Sequence, residues 1–313
     1  MFLNRTGYAT QAFIDQRIHP VIYDVTGINM DDFQKQVHDS IPEFNYENAA
    51  WFILQWTVIW LVIIHASVMA TPYLMSYASK DIRAVYDKAS PFKRLMITCR
   101  AIYSPLHLTI ANPIIIYGLI YADGKAGTSW FADEHYWETA FDYQKYITIW
   151  MFAYVFAETV YIFLSMDYDP KMNQVYAHHV ISLVGCVPGI YFGGWVFSQN
   201  YLVCLSEITN PCNNIRGLLT DLEIPNGKIY AVNAIVWFIS FLWFRTISFT
   251  YIIFTKTAFC IDGFACPDYV SGVEGTDMLI IWLCQLVSWS FWALNMVWTW
   301  QIGKGILVGA GLI

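Results

Sequence analysis

Charge is scarce in this chain. Asp, Glu, Lys and Arg make up 13% of its 313 residues, against about 25% in soluble domains, while 57% of the residues are apolar and the mean hydropathy is +0.42. So little charge cannot cover a water-facing surface, and the chain reads as a polytopic membrane protein. The charge that exists leans acidic. A net charge of −7 offers no basic surface to a phosphate backbone, which excludes nucleic acid as a partner. No C-x-x-C and no H-x-x-x-H spacing occurs, so the ligand pairs of a metal site are missing and neither a metal nor another cofactor is expected. There is no internal repeat and no second soluble domain. Residues 1–50 hold no apolar run of signal-peptide length and read as an extramembrane arm.

What is abundant is aromatic: 18% of residues, including 14 Trp and 21 Tyr, the type of ring that settles at headgroup depth. Of the cysteines, Cys99, Cys186, Cys204, Cys212 and Cys284 fall in or beside apolar stretches, where a thiol behaves as a small hydrophobe. Cys260 and Cys266 lie in a polar loop. They read equally well as a disulfide, in an oxidising compartment, or as two free thiols.

Apolar stretches of about 20 residues, the length needed to cross a bilayer, recur along residues 51–305 and predict an all-α bundle of about seven transmembrane segments. They run over Trp51–Tyr77, Ala101–Tyr121, Tyr146–Met166, His178–Phe197, Tyr201–Leu222, Ile229–Phe254 and Met278–Ile302. Prolines 105 and 113 are expected to kink the second. The fifth is barely long enough, and Pro211 within it predicts a short or broken helix. Residues 306–313 form an apolar tail expected to lie in lipid or against a partner. Lys80, Arg83, Lys88, Lys93 and Arg94 crowd one short loop, and Lys171, Lys228 and Lys304 fall on the same side, whereas Lys125, Lys145 and Lys256 fall on the other. By the positive-inside rule the crowded side faces the cytoplasm, or the matrix in a mitochondrion.

Polar side chains inside hydrocarbon cost a few kcal/mol each on insertion scales, so those that occur must look inward. They gather between residues 176 and 222. The span YAHHVISLVGCVPGIYFGGWVF opens with His178 and His179, and SQNYLVCLSEITNPCNNIRGLLTDL follows with Glu207, Thr209, Asn210, Asn214 and Arg216. Glu207 and Arg216 are expected to neutralise each other, with Arg245 or Glu158 joining from neighbouring spans. Together with His107 these residues form a candidate lipid cavity or polar network. Two readings stay open: a structural network that locks the bundle, or a general base or acyl carrier at His178 or His179. Asn233 and Asn295 read as interhelical hydrogen-bonders.

The order of HHVISL at 178–183, SEITNPCNNIR at 206–216, VNAIVWFISFLWFR at 232–245 and ALNMVWTWQIGKG at 293–305, after Arg100 and His107, resembles the TLC domain family. That family includes ceramide synthases, translocation-associated TRAM proteins and small TLC-domain transmembrane proteins. The last carry an E-x-S-x-P-x-x-N-x-R segment, which Glu207, Pro211, Asn214 and Arg216 match while Thr209 replaces the serine. The likeness covers about residues 90–305. Glu158 stands where relatives usually show Asp, and Gly217 and Leu218 replace a bulky aromatic pair. Between Val180 and Ser206 there is no Asp, Glu or His, so the acids that accompany the histidine pair in ceramide synthases are missing.

The resemblance therefore implies a lipid-binding or membrane-composition protein without ceramide synthase activity, with membrane lipids as its partners and the endoplasmic reticulum as its membrane. A non-catalytic accessory subunit among other membrane subunits is the second expectation; the apolar tail and the lack of a basic retrieval signal at the carboxyl end favour it and point to the mitochondrial inner membrane. An acyl-CoA-dependent acyltransferase is the third.

Overall fold

The structure is a computed structural model describing residues 46–117, 142–165, 170, 173–192, 204–224, 227–255 and 276–309. Most of the expected arm over residues 1–50, the Cys260 and Cys266 pair and the last residues of the tail lie outside these. The described residues are helical, with no strand among them. Among the described residues three helices are long and apolar enough to cross a membrane: Glu47–Met75, Lys145–Ser165 and Lys228–Thr250.

The first helix, α1 (Tyr46–Met75), shows how the bundle sorts its faces. Thr57, Trp60, Ile64, Ser67 and Thr71 recur three or four residues apart and are buried, while Leu54, Val58, Val62 and Met69 are exposed on the other side. Small hydroxyls thus face protein and large apolar side chains face outward, the arrangement that hydrocarbon surroundings favour. The hydroxyls of Ser67 and Thr71 donate to the carbonyls of Ile63 and Ser67 at 2.7 Å, so neither is left without a partner. The helix continues through Pro72 for one further turn.

The basic segment, expected as a loop, folds instead as two capped helices, α2 (Lys80–Lys88) and α3 (Pro91–Thr98). The hydroxyl oxygens of Ser79 and Ser90 accept from the backbone N–H of Ile82 and Lys93, and Pro91 supplies a preset first turn. Tyr86 is the buried face of α2 and packs with Ile97 and Leu222.

From α3 the chain passes through a π-helical turn (Cys99–Tyr103) into α4 (Ser104–Tyr117). The distortion expected at Pro105 is taken up just before it, where the Ser104 N–H reaches back to the Cys99 carbonyl. Next come α5 (Asp142–Ser165) and α6 (Asn173–Phe192). The fifth apolar stretch is broken as expected, into a 3₁₀ run (Leu205–Thr209) and α7 (Asn210–Asp221). Pro211 does not interrupt that helix; it sits in the first turn, where its missing N–H costs nothing. Then follow α8 (Lys228–Phe241), a second π-turn (Leu242–Ile247), α9 (Ser248–Thr255) and α10 (Thr276–Gly309), which carries the start of the apolar tail within its last turn.

The main core lies where α5 packs along α1 and against α4: Trp60, Tyr103, Ile115, Ile147, Trp150 and Tyr154 are its large members. Trp60 meets both Trp150 and Tyr154 edge to face, with ring centroids 5.5 and 5.1 Å apart. The Thr98 hydroxyl donates to that of Thr71 at 2.9 Å and fastens α3 to α1.

Trp60→Ala should destabilise the bundle by about 3–5 kcal/mol, the usual cost of emptying a large aromatic site. Unfolding in mild detergent checks this against Val62→Ala on the outward face, which should change little.

Candidate functional site

Six stretches converge on one chamber of about 440 Å³: the π-turn at Cys99 with the adjoining ends of α3 and α4, α5, α6, the 3₁₀ run with α7, α8 with the π-turn after it, and α10. Among its walls are Glu158, His178, His179, Glu207, Asn214 and Arg245.

Glu158 is buried on α5 among polar partners. Its Oε1 accepts from the Tyr103 hydroxyl at 2.8 Å and the Cys99 thiol at 3.5 Å, and its Oε2 lies 3.4 Å from His179 Nε2. The other ring nitrogen of His179, Nδ1, is 2.8 Å from the Thr159 hydroxyl, which also donates to the Val155 carbonyl. Both nitrogens of His179 are therefore engaged by protein. His178, one residue before it and about 100° around α6, faces differently. Its ring stands 5.5 Å from Phe291 and 6.0 Å from Trp298, and its buried Nδ1 has no hydrogen-bond partner among the described residues. Of the two candidate histidines, His178 is the one with a ring nitrogen that no described residue bonds, and it lines the chamber.

A second knot lies across the chamber. Arg245 is 5% exposed, and its Nε donates to the Ser206 carbonyl at 3.1 Å and to the Thr209 hydroxyl at 2.9 Å. One terminal nitrogen donates again to Ser206 at 2.9 Å and to Asn210 Oδ1 at 2.7 Å. The Asn210 amide then donates to Glu207 Oε2 at 2.7 Å, so an amide couples guanidinium to carboxylate. Asn214 donates to the Ser104 hydroxyl at 2.8 Å and ties α7 to α4.

Arg216, expected to neutralise Glu207, does not do so. Nine residues at about 100° each put the two roughly half a turn apart, and Arg216 turns to α8 instead. There its Nε donates to the Tyr230 hydroxyl at 3.3 Å and its guanidinium lies 4.9 Å over the Trp237 ring. Arg245 takes the place beside Glu207. His107 is not part of the chamber wall: its Nδ1 accepts from Trp150 Nε1 at 3.0 Å, its Nε2 lies 3.0 Å from Met151 Sδ, and its ring stacks on Tyr154 at 4.0 Å. Asn233 donates to the Cys212 carbonyl at 2.8 Å, between α8 and α7. Asn295, expected to do likewise, is fully buried with neither side-chain polar atom bonded among the described residues.

Gly217, which the sequence marks only as a lost aromatic, has a positive role. A Cβ there would collide with the Arg100 side chain, which crosses α7 at this point to pair with Asp221.

A family model of the TLC domain matches residues 98–304. The chain belongs to the TLC domain family. No curated protein matches the sequence. The match begins at the end of α3 and ends within α10, so the TLC domain supplies nearly the whole chamber, while α1 and α2 precede it.

Several members of the site carry no signal in the sequence. Tyr103 and Thr159 look like ordinary core residues, and nothing in their types announces a carboxylate or an imidazole beside them. Trp237 was more findable: Trp237, Phe241 and Arg245 are spaced by four along one stretch and share the face that lines the chamber of this TLC domain.

Arg245→Met should cost about 3–5 kcal/mol, because it leaves Glu207 and its amide partner buried beside no cation. Arg245→Lys should recover only part, since one ammonium cannot span the three acceptors. Chemical unfolding in micelles measures both.

Proposed function

We propose that this integral membrane protein of the TLC family binds a membrane lipid, with the polar head in the chamber and the start of an acyl chain in an apolar slot beside it. The observation that carries the reading is the continuity of these two spaces. The slot, about 80 Å³, shares Met151, Val155, His178 and Glu207 with the chamber. Beyond those its walls are mainly apolar, with Phe152, Ile181, Gly185, Val287 and Phe291, and Ser182, Ser206 and Ser288 are its polar members.

Three helices agree on the direction. Along α5 the wall passes from Glu158 to Phe152, along α6 from His179 to Cys186, and along α10 from Gln301 to Val287. Each passage runs from polar to apolar. The last covers fourteen residues, about 21 Å of helix, which matches an amphipathic molecule lying lengthwise. Gly185 lets α6 and α10 close on the slot, since a Cβ there would stand 3.0 Å from the Val287 methyl.

The acyltransferase alternative keeps one supporting observation, a His178 Nδ1 that no described residue bonds. The acids that would assist amide formation are missing from the neighbouring sequence, so we favour holding over reacting. The family resemblance supports residence in the endoplasmic reticulum, with the mitochondrial inner membrane as the alternative that cell fractionation separates.

Lipid should co-purify with the chain in mild detergent and be detected by mass spectrometry of the extract. Ser182→Phe, which fills the slot, should remove most of it from a still-folded protein, and a lipid-free wild type would overturn the reading. His178→Ala should leave cellular amide and ester products unchanged. Loss of a specific product in that variant would establish the transferase instead.

A further inference from the structure

The chamber's charges pair off with one exception. Arg100 meets Asp221, Glu207 meets Arg245 through Asn210, and Glu158 meets His179 together with Tyr103 and Cys99. Arg216 faces no carboxylate among the described residues. Among the described residues only its Nε is bonded, to Tyr230, and neither terminal nitrogen of the guanidinium has a partner. The same wall holds a second donor without an acceptor: Trp237 is 8% exposed, and its Nε1–H is buried with no partner among the described residues. Arg216 lies over this very ring, at 4.9 Å, so the two donors are neighbours. Asn213, one turn before Arg216 on α7, lines the chamber beside them.

A planar cation whose Nε and face are both fixed presents its remaining edge in one orientation, the geometry that suits two oxygens of a phosphate. A buried N–H without an acceptor costs free energy until one arrives. Together these features describe an anion subsite.

Its place in the fold agrees. Six residues, about 9 Å of helix, separate Arg216 from Leu222, which packs against Tyr86 of the basic helix α2. The subsite is therefore at the end of the chamber nearest the basic surface, and the apolar slot opens beyond His178 at the other. We infer that Arg216, Trp237 and Asn213 hold the phosphate ester of an anionic phospholipid headgroup, an inference that rests on the lipid-binding reading. A zwitterionic head carries the same phosphate but would bring a second cation beside the Arg216 and Arg245 guanidiniums, while Glu158 and Glu207 already accept from protein donors, so it is disfavoured.

The test is native mass spectrometry of the full chain in detergent. It is titrated separately with phosphatidylglycerol, phosphatidylcholine and diacylglycerol of identical acyl chains, and with glycerol 3-phosphate. Phosphatidylglycerol should bind about tenfold or more tightly than the other two lipids, roughly the effect of one charge-assisted contact. Arg216→Met should bring it down to the diacylglycerol level and leave diacylglycerol unchanged. Trp237→Phe keeps a ring beneath the guanidinium but removes the N–H, and should lose part of the preference. Equal binding of the three lipids, or a preference that survives Arg216→Met in a folded protein, overturns the subsite while lipid binding stands. If no lipid binds, the lipid reading fails. Tight glycerol 3-phosphate binding that Arg216→Met abolishes would then still support the subsite, for a soluble phosphate ester, and its absence would overturn that too.

Discussion

A guanidinium placed among hydrocarbon-facing helices must find acceptors inside the protein, and Arg245 finds them on a single short piece of chain. Its donors close on Ser206, Thr209 and Asn210, the stretch where the 3₁₀ run turns into α7. A 3₁₀ run at membrane depth is tolerable only where its backbone looks into protein or a cavity. The arginine makes that so, because it uses the Ser206 carbonyl twice and fixes the Asn210 amide toward Glu207. The broken segment thereby becomes a wall, and the chamber exists because the segment is broken there.

Both π-turns serve the same end. One carries Arg100 and the other Arg245, and each turn lies on the chamber. Slipping from an i→i+4 to an i→i+5 bond inserts one residue into a helix and re-aims the side chains of the next turn without ending the helix. In the first case the inserted register lets Arg100 cross α7, which Gly217 permits by having no side chain. In the second it sets Arg245 opposite the 3₁₀ run while Phe241, one turn earlier, stays packed 5.2 Å beneath the guanidinium.

Much of this architecture is legible in the residues alone, and the parts that are not share a cause. Burial of His179, Glu158, Glu207, Thr209, Asn214 and Arg245 follows from the expense of polar groups in lipid. The pairing of those groups does not. Glu207 and Arg216 sit on one segment, and composition alone makes them partners, but helical phase separates them and a residue 38 positions from Glu207 takes the role. His107 misleads for a similar reason. It obeys the same rule of inward polarity, yet Trp150, Tyr154 and Met151 satisfy it locally, behind the chamber wall that Tyr154 and Met151 help to form. The basic stretch 80–94 reads as a loop on charge density, although Ser79 and Ser90 with Pro91 are recognisable helix starts.

The two adjacent histidines are not equivalent, and their difference bears on what the chamber does. His179 has a carboxylate at one nitrogen and a hydroxyl at the other, so it is a structural strut between α6 and α5. Releasing it for chemistry would leave Glu158 buried with a thiol and a phenol for company. His178 has no such duty: among the described residues nothing bonds its buried Nδ1, and aromatic rings flank it instead. An imidazole so placed is held by packing against rings rather than by a hydrogen bond at Nδ1. That asymmetry divides the pair: His179 braces the bundle, and His178 is the histidine left to meet whatever enters the chamber.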